Sequence, residues 1–393
     1  MVEVWREDAV YTFGFGESPR SVTIRVPSMP SLRSTLLVLT LPALACSEDL
    51  PVFGEKAWVG DHLEIWTTED AQVCGGSFDA LDQHADLVAN YAAARGVVPR
   101  SGRYRYYWLS RDAFEAEDPC DGSNGCFRRA GPAIYTWFFT EHELVHAEFA
   151  SGHSSFIDEG LAEMLGDSAV EPIEAGPPST RAIMDETRGR TLEGVYYARA
   201  AKFVRSLEAL EPEAYLQSVV ATRRADDAEQ TLRRIEGAGV DAEAAIELDA
   251  QIETCWMDAV RVALSECAQD PIPWSDDGWS ASGRLDCGSA DTLGPTGGDT
   301  PKVWTTRVFD IEEPGLYTVV FDAGERTDAR LVGCDNDVCG SGFNYPNNFV
   351  ALFRGQPVPV EFEAGRFWFR VSRALDAPPD EFEVRVLQGW TGE

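Results

Sequence analysis

The order of patterns along this 393-residue chain predicts an α+β protein. Short runs with strand-like alternation come first, and a long stretch of helical periodicity follows them. After a segment rich in Pro, Gly, Ser and Asp, the chain ends in seven further runs that read as strands. With 44% hydrophobic and 11% aromatic residues the composition suits packed cores, and the length suits two domains.

Residues 1–28 carry Glu3, Glu7 and Asp8 and are expected to be an upstream extension ahead of a true start at Met29. Residues 29–46 then read as a signal peptide. Arg33 supplies its positive end, residues 36–44 its apolar stretch, and Ala43, Leu44 and Ala45 a small-residue cleavage pattern. The stretch is too short to span a bilayer as a helix. Cys46, directly after Ala45, resembles the lipidated cysteine of a bacterial lipobox, and Ser47 after it suits outer-membrane sorting. Ala43 with Ala45 equally suits ordinary signal peptidase. Export is therefore expected, as a lipoprotein at the outer membrane or cell surface, or otherwise to the periplasm or medium.

Nine cysteines are many for a cytosolic chain, and setting aside Cys46 leaves eight (9 − 1) for disulfides. Cys120 with Cys126 and Cys334 with Cys339 are spaced to close short loops. Cys74, Cys255, Cys267 and Cys287 have no partner assignable from spacing.

From residue 57 the pattern turns structured, with strands expected at 58–66, 104–109 and 133–139 and an amphipathic helix at 78–95. The next stretch, TEHELVHAEFASGHSSFIDEGLAE from Thr140 to Glu163, carries the chemistry. Residues four apart lie on one helix face, so His142 and His146 can offer two ring nitrogens to one metal ion. Glu143 beside them can take a proton from a water that the metal activates. A catalytic zinc has three protein ligands and an open position, and the candidates for the third are His153, Asp158, Glu159 and Glu163. A metzincin pattern is excluded, since Phe149 and Gly152 stand where glycine and histidine are needed.

The run Asp158, Glu159, Gly160, Leu161, Ala162, Glu163 resembles the second motif of gluzincin metallopeptidases of the peptidase MA type. The resemblance implies that Glu159 completes the zinc site, and it extends over residues 57–270. Local geometry agrees with it. Gly152 can stop the first helix and Ser154 or Ser155 can cap a second, so that Glu159 faces the histidines. Glu163, one turn further, can accept a hydrogen bond from the far nitrogen of a ligand histidine. The resemblance also implies a substrate-pairing sheet strand, here 133–136, and a tyrosine that donates to the oxyanion, here Tyr196 or Tyr197.

Helices are expected at 191–210, 212–223, 226–235 and 241–268, followed by a linker at 271–300. Strands at 303–311, 315–321, 329–333, 349–353, 358–362, 366–371 and 381–387 then suggest a β-sandwich accessory domain over 301–393. The loop from Cys334 to Cys339, with Asp335, Asn336 and Asp337, offers oxygens that suit Ca²⁺.

Charge narrows the partners. With 33 Lys plus Arg against 66 Asp plus Glu, the net charge of −33 repels nucleic acid and anionic lipid, leaving membrane contact to the lipid anchor. The expected function is a zinc peptidase acting on peptide or protein substrates. An endopeptidase is favoured, because no glycine-rich motif ending in Glu-Asn precedes His142. The alternative is a non-catalytic surface binding protein with structural zinc, whose C-terminal domain contacts a protein or surface partner.

Overall fold

The fold is known from a computed structural model, which describes residues 10–13, 22–25, 53–129, 131–149, 154–166, 172–174, 178–187, 191–223, 225, 227–251, 254–256, 261–276, 278–334 and 349–389. The expected signal peptide with Cys46, and His153 and Gly152 in the motif region, lie outside those residues. Met1–Ser47 forms a unit of its own, in which Val10–Phe13 pairs antiparallel with Val22–Arg25. All that follows concerns Glu48–Glu393, one compact unit of mixed α and β structure.

A five-stranded sheet comes first, in the order Glu55–Val59, Leu63–Thr67, Tyr104–Trp108, Ala133–Thr136, Gly125–Arg128. The run expected as one strand at 58–66 is a hairpin instead, because the turn at Asp61 and His62 gives its N–H groups, with that of Leu63, to the Asp82 carboxylate at 2.8–3.0 Å. Asp82 lies on the helix Ser77–Ala94, which crosses between the parallel strands Leu63–Thr67 and Tyr104–Trp108. That helix buries Leu81, Ala85, Val88 and Ala92, a 3.6-residue spacing that turns one face to the core. The strand expected to pair with substrate, Ala133–Thr136, is flanked on both sides and has no free edge. Gly125–Arg128 is the edge strand on that side, and Glu55–Val59 the edge on the other.

Helices follow, at His142–Phe149, Ser155–Leu165, Thr180–Glu186, Tyr197–Leu210, Tyr215–Ala221, Ala228–Gly237 and Ala242–Gln251. The helix expected over 241–268 ends at Gln251, and Thr254–Trp256 pairs as a strand with Pro172–Glu174. Leu264–Cys267 is a separate single turn.

The expected linker is structural. Its Trp279–Leu285 is a strand of the C-terminal sandwich, whose sheets run in the orders Trp279–Leu285, Asp380–Gln388, Gly315–Ala323, Val358–Phe362 and Lys302–Ile311, Gly365–Ala374, Thr327–Gly333, Phe349–Leu352. Small residues hide this strand in the sequence. Gly283 is small because a side chain there would meet the Phe382 ring at 2.9 Å. Between the sheets, Trp279 stacks on Phe369 with ring centroids 5.4 Å apart, and Phe309 lies over both.

The sandwich is locked onto the rest. Trp304, on a sandwich strand, is buried in the core of the first sheet, edge-on to Phe139 at 5.0 Å. Cys74 is bonded to Cys287, and Cys267 to Cys334. The latter corrects the expected Cys334–Cys339 loop, since burial brings Cys267 to Cys334 across the junction; Cys339 lies outside the described residues, as does the rest of the expected calcium loop. Cys120–Cys126 forms as its spacing suggests. Among the described residues no helix is long and apolar enough to cross a membrane, and the disulfides fit an oxidising, exported setting. At the same junction Glu266 is buried between Arg261 and Arg370. Burial opposes its charge, but the two guanidiniums outweigh that and hold its carboxyl at about 2 rather than 4.5.

Peptide mapping without reduction is expected to recover Cys74–Cys287 and Cys267–Cys334 as linked fragments, and a Cys334–Cys339 fragment would contradict this arrangement. Because the folded pKa of Glu266 is depressed, its contribution to stability is complete above about pH 4.5 and is lost as pH falls towards 2. Urea unfolding across that window should therefore show a shallower loss for Glu266→Gln than for the unaltered chain. Equal slopes would detach Glu266 from acid unfolding.

Candidate metal centre

The site begins with two short helices. His142–Phe149 turns Leu144, Val145 and Ala147 inward, which leaves both histidines on the face towards Ser155–Leu165. The second helix is capped by Ser154, whose hydroxyl accepts from the Ile157 N–H at 3.4 Å, so the cap is Ser154 rather than Ser155. Two glycines let this helix sit close to its neighbours. A side chain at Gly160 would stand 2.5 Å from the Ala200 carbonyl oxygen of the next helix, and one at Gly166 would stand 2.7 Å from the backbone of His142.

Three donor atoms then converge. His142 Nε2 lies 3.0 Å from His146 Nε2 and 3.0 Å from Glu159 Oε2, and His146 Nε2 lies 3.3 Å from the same oxygen. Atoms bound to one zinc at roughly 2.0–2.1 Å in a tetrahedral arrangement stand about 3.3 Å apart, so this donor set fits such an ion. It is the group of His, Cys, Asp and Glu side chains found suited to a metal among the described residues.

Electrostatics point the same way. Burial disfavours charge on His142, yet its hydrogen bonds with Glu159 and Glu163 raise its pKa well above the usual value. For Glu159, burial is likewise outweighed by the two histidines, and its carboxyl is held well below the usual range. The site is thus built to hold positive charge. Glu163 Oε1 accepts from His142 Nδ1 at 3.1 Å, which fixes the tautomer that turns the Nε2 lone pair towards the other donors.

The other expected residues divide. Glu143 is buried under the edge strand, where the Phe127 N–H donates to it and its carboxylate nears Gly125; burial raises its pKa, against the pull of the two histidines. Tyr197 lies parallel to the His142 ring at 5.9 Å and lines the cleft; burial and then the surrounding carboxylates, Glu159 first, push its hydroxyl up. Tyr196 packs against the helical core, as Tyr197 does, but does not line the cleft. Asp158 pairs with Arg129 at 3.9 Å rather than joining the three donors.

The donors open into a cleft of about 1350 Å³ between the edge strand and the sandwich. Its far wall includes Lys302, Arg330, Phe353, Arg354 and Ser372, none of which motif spacing picks out. Lys302, Arg330 and Ser372 come from three sandwich strands, and Phe353 and Arg354 from the turn after Phe349–Leu352, so no local signal in the sequence links them to His142.

No protein-family model matches this chain, and no match emerges among curated proteins. Among solved structures, the pre-peptidase C-terminal domain of a collagenase from Bacillus anthracis is similar over 30% of this chain and 99% of that one. The two are 13% identical with a TM-score of 0.17, a likeness that carries no argument about this chain.

Zinc is expected to raise the melting temperature of the full chain, and His146→Ala should abolish that shift. Glu163→Ala should still bind one ion but roughly ten- to a hundredfold more weakly by chelator competition, and an unchanged affinity would remove Glu163 from the site.

Proposed function

We propose that the chain is an exported zinc metallopeptidase of the gluzincin type, in which His142, His146 and Glu159 hold the ion and Glu143 acts as the base. The observation that carries this reading is the convergence of the three donor atoms within 3.0–3.3 Å, with Glu143 on the same helix and lining the same cleft.

When bound, zinc acts as a Lewis acid that brings the pKa of water to about 7 and polarises a carbonyl oxygen. Glu143 takes the proton of the attacking water at its carboxylate and delivers it to the leaving amine. Tyr197 lines the cleft beside His142, so its hydroxyl can donate towards negative charge developing on the substrate carbonyl. The edge strand Gly125–Arg128 takes the place of 133–136 as the strand available to extended substrate backbone.

The cleft exceeds the roughly 300–1,000 Å³ of a small-molecule site, which favours a stretch of polypeptide and internal cleavage. A lipid anchor at Cys46 would hold the enzyme at a membrane surface. The competing reading, a binding protein with structural zinc, expects a fourth protein ligand. Against it stands Glu143, a carboxylate beside the three donors that a purely structural site would not need.

Glu143→Gln should retain zinc affinity while hydrolysis of a mixed peptide library falls by roughly 10²–10⁴-fold. Activity retained in that variant would overturn the role of Glu143, and internal against terminal cuts decide the mode of cleavage. Tyr197→Phe should lower kcat by roughly ten- to a hundredfold with KM little changed.

A further inference from the structure

A buried charged network lies behind the metal centre, away from the cleft chemistry described so far. Arg261 is at its middle, 3% exposed. One of its terminal nitrogens, Nη2, donates to Glu141 Oε2 at 3.3 Å, and Glu141 is the residue immediately before His142. Its Nε donates to the carbonyl oxygen of Gly166, the residue immediately after the helix that carries Glu159. The next residue, Val262, donates its N–H to the Met164 carbonyl at 2.7 Å, so the backbone of this segment runs against the same helix end.

Arg261 is itself held. Glu266 accepts from both of its terminal nitrogens at 3.1 and 3.2 Å and also receives Arg370 from the sandwich. Glu141 in turn accepts from Ser265 Oγ at 2.8 Å and stands 3.3 Å from His84 Nδ1. Resting on the reading of His142, His146 and Glu159 as a metal centre, we propose that Arg261 is its positioning residue, holding the start of the His142 helix and the end of the Glu159 helix at the separation the three ligands require.

The physical reason lies in the guanidinium. Its planar fork carries five donors, enough to bond Glu141, Glu266 and the Gly166 carbonyl at once, whereas a lysine ammonium is a point charge that cannot span them. The two helix ends it joins are in backbone contact, with room for no side chain at Gly166. A displacement of about 1 Å between reacting groups is enough to cost on the order of a hundredfold in function elsewhere, and metal affinity is as sensitive to the groups that orient its ligands. Through Glu266 and Arg370, the sandwich sets the position of Arg261 and so reaches the ligands without touching them.

The test uses the full chain with zinc and with cobalt(II) as probes. Removing Arg261 alone would strand a buried carboxylate, so the leading variant is Arg261→Met with Glu141→Gln, which removes one charge of each sign and leaves Glu266 paired with Arg370. The expected result is a retained near-ultraviolet circular dichroism spectrum, a ten- to hundredfold weaker zinc affinity by chelator competition, and an altered cobalt(II) visible absorption band. Arg261→Lys, which keeps the charge, should also fail to restore the affinity, and it decides the matter if the double variant does not fold. Affinity and cobalt(II) spectrum equal to those of the unaltered chain would overturn the proposal, as would a lowered melting temperature accompanied by neither change. If the unaltered chain binds neither ion, the metal centre itself falls, an outcome seen before any substitution is made.

Discussion

Two half-buried imidazole nitrogens 3.0 Å apart cannot both aim lone pairs at one point unless positive charge stands between them. In this protein a carboxylate oxygen joins them at 3.0 and 3.3 Å, and a second carboxylate fixes the ring that would otherwise turn away. Such a concentration of donors is costly in a low-dielectric interior unless a cation or proton neutralises it. The surrounding architecture can be read as what keeps the donors there. Gly160 and Gly166 let three helices meet at backbone contact, and Arg261 ties two helix ends together.

The sandwich belongs to that architecture. An appended module would share a linker and little else with its neighbour, but here two disulfides, a buried tryptophan and a buried ion-pair network cross the junction. Its sheet forms the far wall of the cleft, so whatever enters meets the edge strand on one side and the sandwich on the other. Five cationic side chains line the cleft, Arg129, Lys302, Arg330, Arg354 and Arg370, against five carboxylates, Glu143, Asp158, Glu159, Glu163 and Asp328, an even balance in a chain whose overall charge is −33. The local field in the cleft therefore departs from that of the whole molecule.

Local spacing made much of this protein legible. His142 and His146 share a helix face by periodicity alone, residue type narrows the helix cap to Ser154 or Ser155, and Cys120 and Cys126 are too close in sequence to miss each other. Seven sandwich strands are visible as runs rich in β-branched and aromatic residues set between turn residues. Trp279–Leu285 is not, since Ser280, Ser282 and Gly283 give it the composition of a linker. The helix expected over 241–268 failed for a related reason: periodicity continued past Gln251, but strand pairing with Pro172–Glu174 took the chain.

What the sequence by itself determined is the chemistry available: a histidine pair at helical spacing, a glutamate beside it, two more glutamates a turn apart, and cysteines suited to export. Tertiary structure decided how that chemistry is placed. It chose Tyr197 over Tyr196 beside His142, made Gly125–Arg128 the edge strand, and paired Cys267 with Cys334. It also set Arg261 between the two ligand helices. The division has one cause. Residues within a few turns are positioned by backbone geometry, which repeats and can be counted, whereas partners far apart in the chain are selected by which surfaces bury one another, and no local period records that.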